Sequence, residues 1–380
     1  MDPQTQFCPN PDCPARGQAG QGNIRVHSQQ DRRYRCTTCG RTFAATTGTP
    51  FFRLQHAIEL VTLVLTLRCH GCPVQALVAA FGLDERTIAA WQQRAGQHCQ
   101  RVHEHLVEQG QVDLGHVQAD ELWVKLVGRK VWQAMAMAVP SRLWLGGVIS
   151  PHRDGALIRR LVERVRACTR RLDILVCVDG LSSYVTAFRC AFRVPVRTGR
   201  RGRPRLVLPD GFLLGQVVKQ YTQRRVTSVV QRVKHGTAAA IAAVLAATQS
   251  GRTINTAYIE RLNATFRAHL TPLVRRGRAI ARTEAMLTAG MWLVGCAYNF
   301  CWYHDSLRQE AVPGRGRKWL ERTPAMAAGL ADHPWTMSEL LHYQVPLPAW
   351  VAPKRRGRPP KVPRAVLLPV ARPPTRARAA

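Results

Sequence analysis

Three carboxylates carry the chemistry this sequence is equipped to do, in a chain with only 23 acidic residues: Asp120, Asp179 and Glu260. Asp120 lies in the run Val117-Gln118-Ala119-Asp120-Glu121-Leu122-Trp123, which reads as a strand, and Asp179 closes a β-branched run from Ile174 to Val178. Glu260 opens a helical segment in which Asn263 and Arg267 fall at i+3 and i+7, on the same face. Three acids gathered at one place repel unless cations sit between them, and hard oxygen ligands select Mg²⁺ or Mn²⁺. Two such ions activate a water or a 3′-OH and stabilise the leaving oxygen of a phosphodiester, with Arg267 placed to hold the substrate phosphate. Each assignment has a competitor. Glu121 stands next to Asp120, so one residue of pleat swaps the ligand. Asp173 and Asp210 are rivals to Asp179, which is also a common turn residue before Gly180. Glu260 also suits a first helical turn through the dipole alone.

A second constellation is sulfur. Cys8-x4-Cys13 and Cys36-x2-Cys39 form two knuckles 22 residues apart, the spacing of a four-thiolate zinc ribbon, with Tyr34 and Phe43 as a small apolar core beside the metal. Zn²⁺ would supply folding energy that so short a segment lacks; the competing reading is four unrelated buried thiols. Cys69 and Cys72 form another C-x-x-C, but inside an apolar segment at a helix break, where structural thiols are favoured over a metal.

The elements that must position these groups follow from periodicity. Residues 1–53 read as the ribbon. Residues 54–110 read as three helices: a broad apolar face from Ile58 to Leu67, a second helix from Val74 to Phe81, a stop at Gly82, and a third helix capped by Asp84 and running through Arg94. This is a helix-turn-helix plan. Ile88 and Trp91 face inward, and Arg86, Thr87, Gln92, Gln93 and Arg94 are left for base edges and phosphates. A plain helical hairpin is the alternative. From 111 to 310 the period becomes that of strands, with Val117–Val127, Val131–Ala138 and Leu143–Ile149 as a meander, then a helix over Ala156–Thr169 and the strand before Asp179. In that β-β-β-α-β order the first and fourth strands are neighbours, so Asp120 and Asp179 project to one spot. Residues 197–235 are basic and mixed, with strand-like stretches around Val217–Tyr221 and Val226–Val233, and read as an insertion. Helices resume at Thr237–Thr248, Thr256–Leu270 and Ala281–Tyr303, and residues 311–352 form a C-terminal extension.

Lys and Arg number 55, giving a formal charge of +32 and a pI of about 11.2, so a polyanion is the expected partner. Hydrophobic residues at 46% and nine Trp exclude a basic tail alone and require folded domains. No apolar run approaches the roughly 18 residues of a membrane span. Met1 to Cys8 lacks the pattern of a signal peptide, so a bacterial cytoplasm, at the nucleoid, is expected, with the cysteines outside disulfides. Arg201-Gly202-Arg203-Pro204 and Arg356-Gly357-Arg358-Pro359 share an R-G-R-P core similar to the AT-hook, whose arginines enter narrow minor grooves. The second lies in a tail, 353–380, with nine Lys or Arg and seven Pro, a composition that predicts disorder.

Asp120, Asp179 and Tyr258-Ile259-Glu260-Arg261-Leu262-Asn263, with Arg267 after them, resemble the DDE triad and its trailing basic residue in bacterial insertion-sequence transposases. The ribbon and helix-turn-helix are similar to the end-binding half of those enzymes, and Tyr298-Asn299-Phe300 with His304-x-Ser306-Leu307 resembles their closing segment. The likeness spans about residues 8–310. It implies an α/β chain with an RNase H-like core, a mixed sheet flanked by helices, behind the two small N-terminal modules. It further implies cleavage at element ends, transfer of the freed 3′-OH to target double-stranded DNA, and a dimer or larger synaptic complex. The R-G-R-P insert and the Pro-Arg tail depart from the family pattern. A DNA-binding protein without chemistry and a structure-specific nuclease remain as rival functions.

Overall fold

The computed structural model describes residues 1–352 except 198, 200, 201, 224, 275–279 and 312–317. Arg201, Arg356 and Arg358, and the tail from 353, lie outside the described residues.

Strands β1 (Ile24–Ser28), β2 (Arg33–Cys36) and β3 (Thr42–Ala44) form a small antiparallel sheet with its own core, in which Tyr34 and Phe43 pack beside the cysteines. Helices α1 (Ile58–Cys69), α2 (Val74–Phe81) and α3 (Glu85–His103) follow. Gly82 ends α2 at φ 64°, in the left-handed region that glycine enters at no steric cost. Asp84 Oδ1 then accepts the Arg86 N–H at 2.7 Å and caps α3.

The main sheet is mixed. Strands β4 (His116–Leu126), β5 (Arg129–Ala138) and β6 (Trp144–Ser150) form the antiparallel meander, α4 (Gly155–Cys168) crosses back, and β7 (Leu175–Val178) pairs parallel to β4. After α5 (Ser182–Ala191) and the short pair β8 (Val194–Val196) and β9 (Arg205–Val207) come β10 (Leu213–Thr222) and β11 (Arg225–His235). β10 pairs parallel to β7, and the spatial order is β11-β10-β7-β4-β5-β6. The strand-like stretches expected within 197–235 form as β10 and β11, and they join the main sheet instead of standing apart from it as an insertion. Leu213–Thr222 is an inner strand, because Leu213 and Val217 are buried against Ile241, Leu245 and Ile254, and Leu214 in the main core, rather than displayed on a basic loop.

Helices α6 (Ala238–Ala247), α7 (Ala257–His269) and α8 (Glu284–Cys296) follow, then the two-residue strands β12 (Gln309–Glu310) and β13 (Trp319–Leu320), and α9 (Pro324–Ala327) and α10 (Met337–His342). Alternate residues of β4 meet different layers: Gln118 and Asp120 face α7, while Glu121 faces Tyr184 of α5. One hydrophobic core runs from Phe51 to Leu341, joining the three early helices to the sheet without a break at 110. Its tightest crossing is α3 on α8, where a Cβ on Gly96 would lie 2.4 Å from the Ala289 Cα. Among the described residues, no helix is long and apolar enough to cross a membrane, and all twelve cysteines are free thiols.

Candidate active site and metal centres

The parallel pairing of β4 with β7 ends at Ala119 opposite Val178, so the next residue of each strand, Asp120 and Asp179, emerges at the same sheet end. Ligand oxygens of Asp120, Glu121 and Asp179 all lie within 4.8 Å of one another. Sequence reasoning set Glu121 aside because successive strand residues face opposite ways. That holds for their other partners, but past the end of the β4–β7 pairing both side chains flank Asp179. Tyr184 Oη donates to Glu121 Oε2 at 2.8 Å, and Arg153 Nε donates to Oε1 at 2.6 Å. The same guanidinium reaches Asp179 Oδ2 at 3.4 Å, while Asp179 Oδ1 accepts the Leu181 N–H at 2.9 Å. Neither Arg153 nor Tyr184 carries a spacing signal that could have flagged it.

Asp120 accepts the Glu121 N–H on Oδ1 at 2.9 Å and the Asn263 amide on Oδ2 at 2.8 Å. Burial, then the charges of Glu121, Asp179 and Glu260, push its carboxyl up to about 7, and only the Glu121 N–H among the main influences opposes the rise. Glu121 is likewise raised, by burial and by Asp179, against the pull of Tyr184 and Arg153. The rivals fall away: Asp173 is held by Arg171 well outside the cluster, and Asp210 sits exposed in a turn.

Glu260 takes its expected place in the first turn of α7, but the three-acid cluster within 4.8 Å contains Glu121 in its stead. Lys219 Nζ on β10 donates to Glu260 Oε1 at 2.7 Å, and Thr256 Oγ1 donates to the same oxygen at 3.0 Å. Asn263, one turn on, is buried against Asp120, and Arg267 stands half-buried in the last turn. α7 thus faces the acids across a gap whose width is fixed by Gln118. Its Oε1 accepts the N–H groups of both Tyr258 and Ile259 at 3.0 Å, satisfying orphan donors at the helix start, and its amide donates to the Asn255 carbonyl at 2.9 Å.

In the N-terminal sheet, one sulfur each from Cys8, Cys13, Cys36 and Cys39 lies within 4.8 Å of the others, with Cys8 to Cys39 at 3.6 Å and Cys13 to Cys36 at 3.9 Å. Metal–sulfur bonds of about 2.3 Å in a tetrahedron set the thiolates about 3.8 Å apart, so the cluster has the size of a four-thiolate site. The second knuckle closes through the Gly40 N–H to the Cys36 carbonyl at 2.8 Å, with Gly40 at φ 73°. Burial opposes ionisation at Cys39, yet the Arg41 N–H, Asn10 and the neighbouring thiols outweigh it and bring the thiol down to about 7. Cys69 and Cys72 belong to no such cluster among the described residues.

Along α3, Ile88 and Trp91 are buried as expected, Arg86, Gln93 and Arg94 are exposed and Thr87 half-buried. Gln92 is corrected: it is buried, and it accepts from Arg68 Nε at 3.0 Å, so it is spent inside the core. Arg203 is exposed between β8 and β9. Trp144 is fully buried, Trp132 packs under Arg153, and Trp123 is exposed under Lys130.

No protein-family model and no curated protein matches the chain.

Proposed function

We propose that this chain is a DNA transposase with an RNase H-like core, which binds the ends of a mobile element, cuts at them and joins the freed 3′-OH to target DNA. The observation that carries the reading is the convergence of Asp120 and Asp179 from adjacent parallel strands, with Glu260 facing them from α7. The sheet order β6-β5-β4-β7-β10, with three antiparallel strands leading into parallel ones, supports an RNase H-like topology, extended by β11.

Asp120, Glu121 and Asp179 are the residues that would hold Mg²⁺ or Mn²⁺, with Glu260 as a further ligand; their oxygen donors and mutual repulsion suit a hard divalent cation. When bound, such ions, two in number, activate the attacking hydroxyl and stabilise the leaving oxygen. The protein's own groups do the positioning. Asn263 and the Glu121 N–H fix the rotamer of Asp120, Arg153 and the Leu181 N–H fix Asp179, and Gln118 sets α7 at working distance. Lys219 and Arg267 supply positive charge for the substrate phosphate. The Cys8, Cys13, Cys36 and Cys39 ribbon holds Zn²⁺, and the exposed face of α3, through Arg86, Thr87, Gln93 and Arg94, reads the element end. Two ends must be held together, so a homodimer or larger assembly is part of the proposal.

The test is cleavage and joining on a labelled duplex taken from the DNA flanking the gene, with Mg²⁺ or EDTA, for the wild type and Asp179→Asn. Metal-dependent joined product that disappears in the variant while DNA binding persists is the expected result. Tight binding without cleavage in either protein would make the chain a DNA-binding protein without chemistry. Cleavage without joining would make it a nuclease.

A further inference from the structure

A second cleft lies on another side of α7. It has a volume of about 320 Å³ and is lined chiefly by Arg142, Tyr258, Arg261, Tyr298, His304 and Ser306. Three elements build it: the β5–β6 turn, α7, and the segment after α8. Arg142 sits in that turn at φ 58°, its guanidinium 4.1 Å from the Tyr258 ring centre and its Nε donating to Ser306 Oγ at 3.3 Å. The Tyr298 hydroxyl donates to the Arg142 carbonyl at 3.1 Å, and the Ser306 N–H donates to His304 Nδ1 at 3.3 Å, which assigns the proton of the neutral ring to Nε2 as a donor. Asn299, between these residues, is occupied with the Trp144 backbone, accepting from its N–H and donating to its carbonyl at 2.9 Å each.

The charge of this cleft is one-sided. Among the described residues, neither Arg142 nor Arg261 forms an ion pair with a carboxylate, and Asp305 is the acid beside His304. Burial and the two guanidinium groups hold His304 below the usual imidazole range, and burial holds Arg142 down as well. Cations gathered with hydroxyls and a stacked guanidinium suit a phosphate group, which takes charge-assisted hydrogen bonds from such a set. The sequence of α7 links the two places. Glu260 belongs to the carboxylate side, and Tyr258 and Arg261, two residues before and one after it, belong to the cleft.

We propose that the cleft seats a backbone phosphate of the same DNA strand whose scissile phosphate lies at Asp120 and Asp179, so that α7 is clamped to the strand at two points. This inference rests on the transposase reading for its ligand. Its test does not need cleavage. Affinity of the full chain for the labelled flanking duplex is measured in EDTA across about 50–300 mM KCl. One lost phosphate contact lowers the slope of log K against log salt by about 0.9 and weakens binding about eightfold at 0.1 M. Arg261→Gln should show both effects, Arg261→Lys should keep the slope, and Arg160→Gln, on the exposed side of α4, should leave it unchanged. An unchanged slope in Arg261→Gln overturns the proposal, as does an equal loss in Arg160→Gln. So does binding of inorganic phosphate, seen as ³¹P line broadening lost in Arg261→Gln, without a change in DNA slope. Joined product from the wild type with no slope change sinks the clamp alone, whereas a slope change without any cleavage sinks the transposase reading and leaves a phosphate contact.

Discussion

The buried side chain of Gln118 accepts the backbone N–H of Ile259 at 3.0 Å, which ties the start of α7 to the strand that carries Asp120 two residues later. One amide therefore sets how far Glu260 and Asn263 stand from the acids of the sheet. Gln118→Leu keeps the volume but orphans the buried N–H of Ile259 and the half-buried N–H of Tyr258, at a cost of about 2–4 kcal/mol. Urea unfolding should show that loss, and strand cleavage should fall further than DNA binding. Unchanged stability would mean that α7 is anchored elsewhere.

Asp120→Asn should stabilise the fold while abolishing cleavage. The variant removes one of the mutually repelling carboxylates, and Asn263 can turn its amide, because its Oδ1 is buried without a partner and would accept from the new side chain. Relief of about 1 kcal/mol would raise Tm by roughly 2 °C. A fall in Tm in metal-free buffer would show that the acids are not in conflict.

Removal of zinc should unfold the ribbon and leave the rest standing. The ribbon core consists of the four cysteines and a few neighbours, and is separate from the main core. A chelator, or Cys36→Ser, should release one Zn²⁺ per chain and erase amide protection over β1 to β3 while that of β4 to β7 persists. Full protection of β1 to β3 in the zinc-free chain would rule out a structural metal.

Gly295→Ala should destabilise despite the better helix former. An added Cβ would sit 2.1 Å from the Trp144 ring, which is fully buried under α8. The helix gain of about 1 kcal/mol is smaller than an overpacking cost of about 1–3 kcal/mol when the obstacle is an immobile indole. A urea midpoint at or above that of the wild type would show that α8 can lift from β6.

Acid should weaken the fold through its buried histidines. Burial brings His98 down to about 4, and burial with Arg164 nearby brings His103 to about 3. Unfolded, each takes a proton near 6.5, so the unfolded chain binds more protons in between. Their contribution is complete above about 6.5 and is lost as pH falls toward 4 and 3. His103 packs 5.1 Å from both Trp144 and Trp292, so His103→Phe can replace it in shape. The stability of that variant relative to wild type should improve by about 2 kcal/mol between pH 7.5 and pH 5. A gap that does not change with pH would contradict a neutral, buried His103.

Much of this fold is legible locally. The meander shows in its alternation and turns, Asp84 and Gly82 mark the helix boundaries, and the four cysteines show by spacing. β10 and β11 show locally as strand-like stretches, but the place of β10 in the main sheet does not, because its partner β7 lies more than 30 residues upstream and parallel pairing leaves no local trace. Glu121 is legible only as an alternative to Asp120, because alternation puts the two on opposite faces, whereas past the end of the β4–β7 pairing both carboxylates come within reach of Asp179. Arg153, Tyr184, Lys219 and Gln118 act through contacts made only after the chain has folded, as does the burial that removed Gln92 from the reading face.

The seating of α3 on α8 through Gly96 and Ala289 makes the helix proposed to read DNA and the sheet proposed to cut it parts of one solid. No tether separates them whose length could vary. On the proposed reading, the number of base pairs between the recognised sequence and the broken bond is a property of the protein, set like the jaw of a caliper, and lengthening the spacer in the DNA should leave the cut at the same distance from the recognised sequence, away from the original bond.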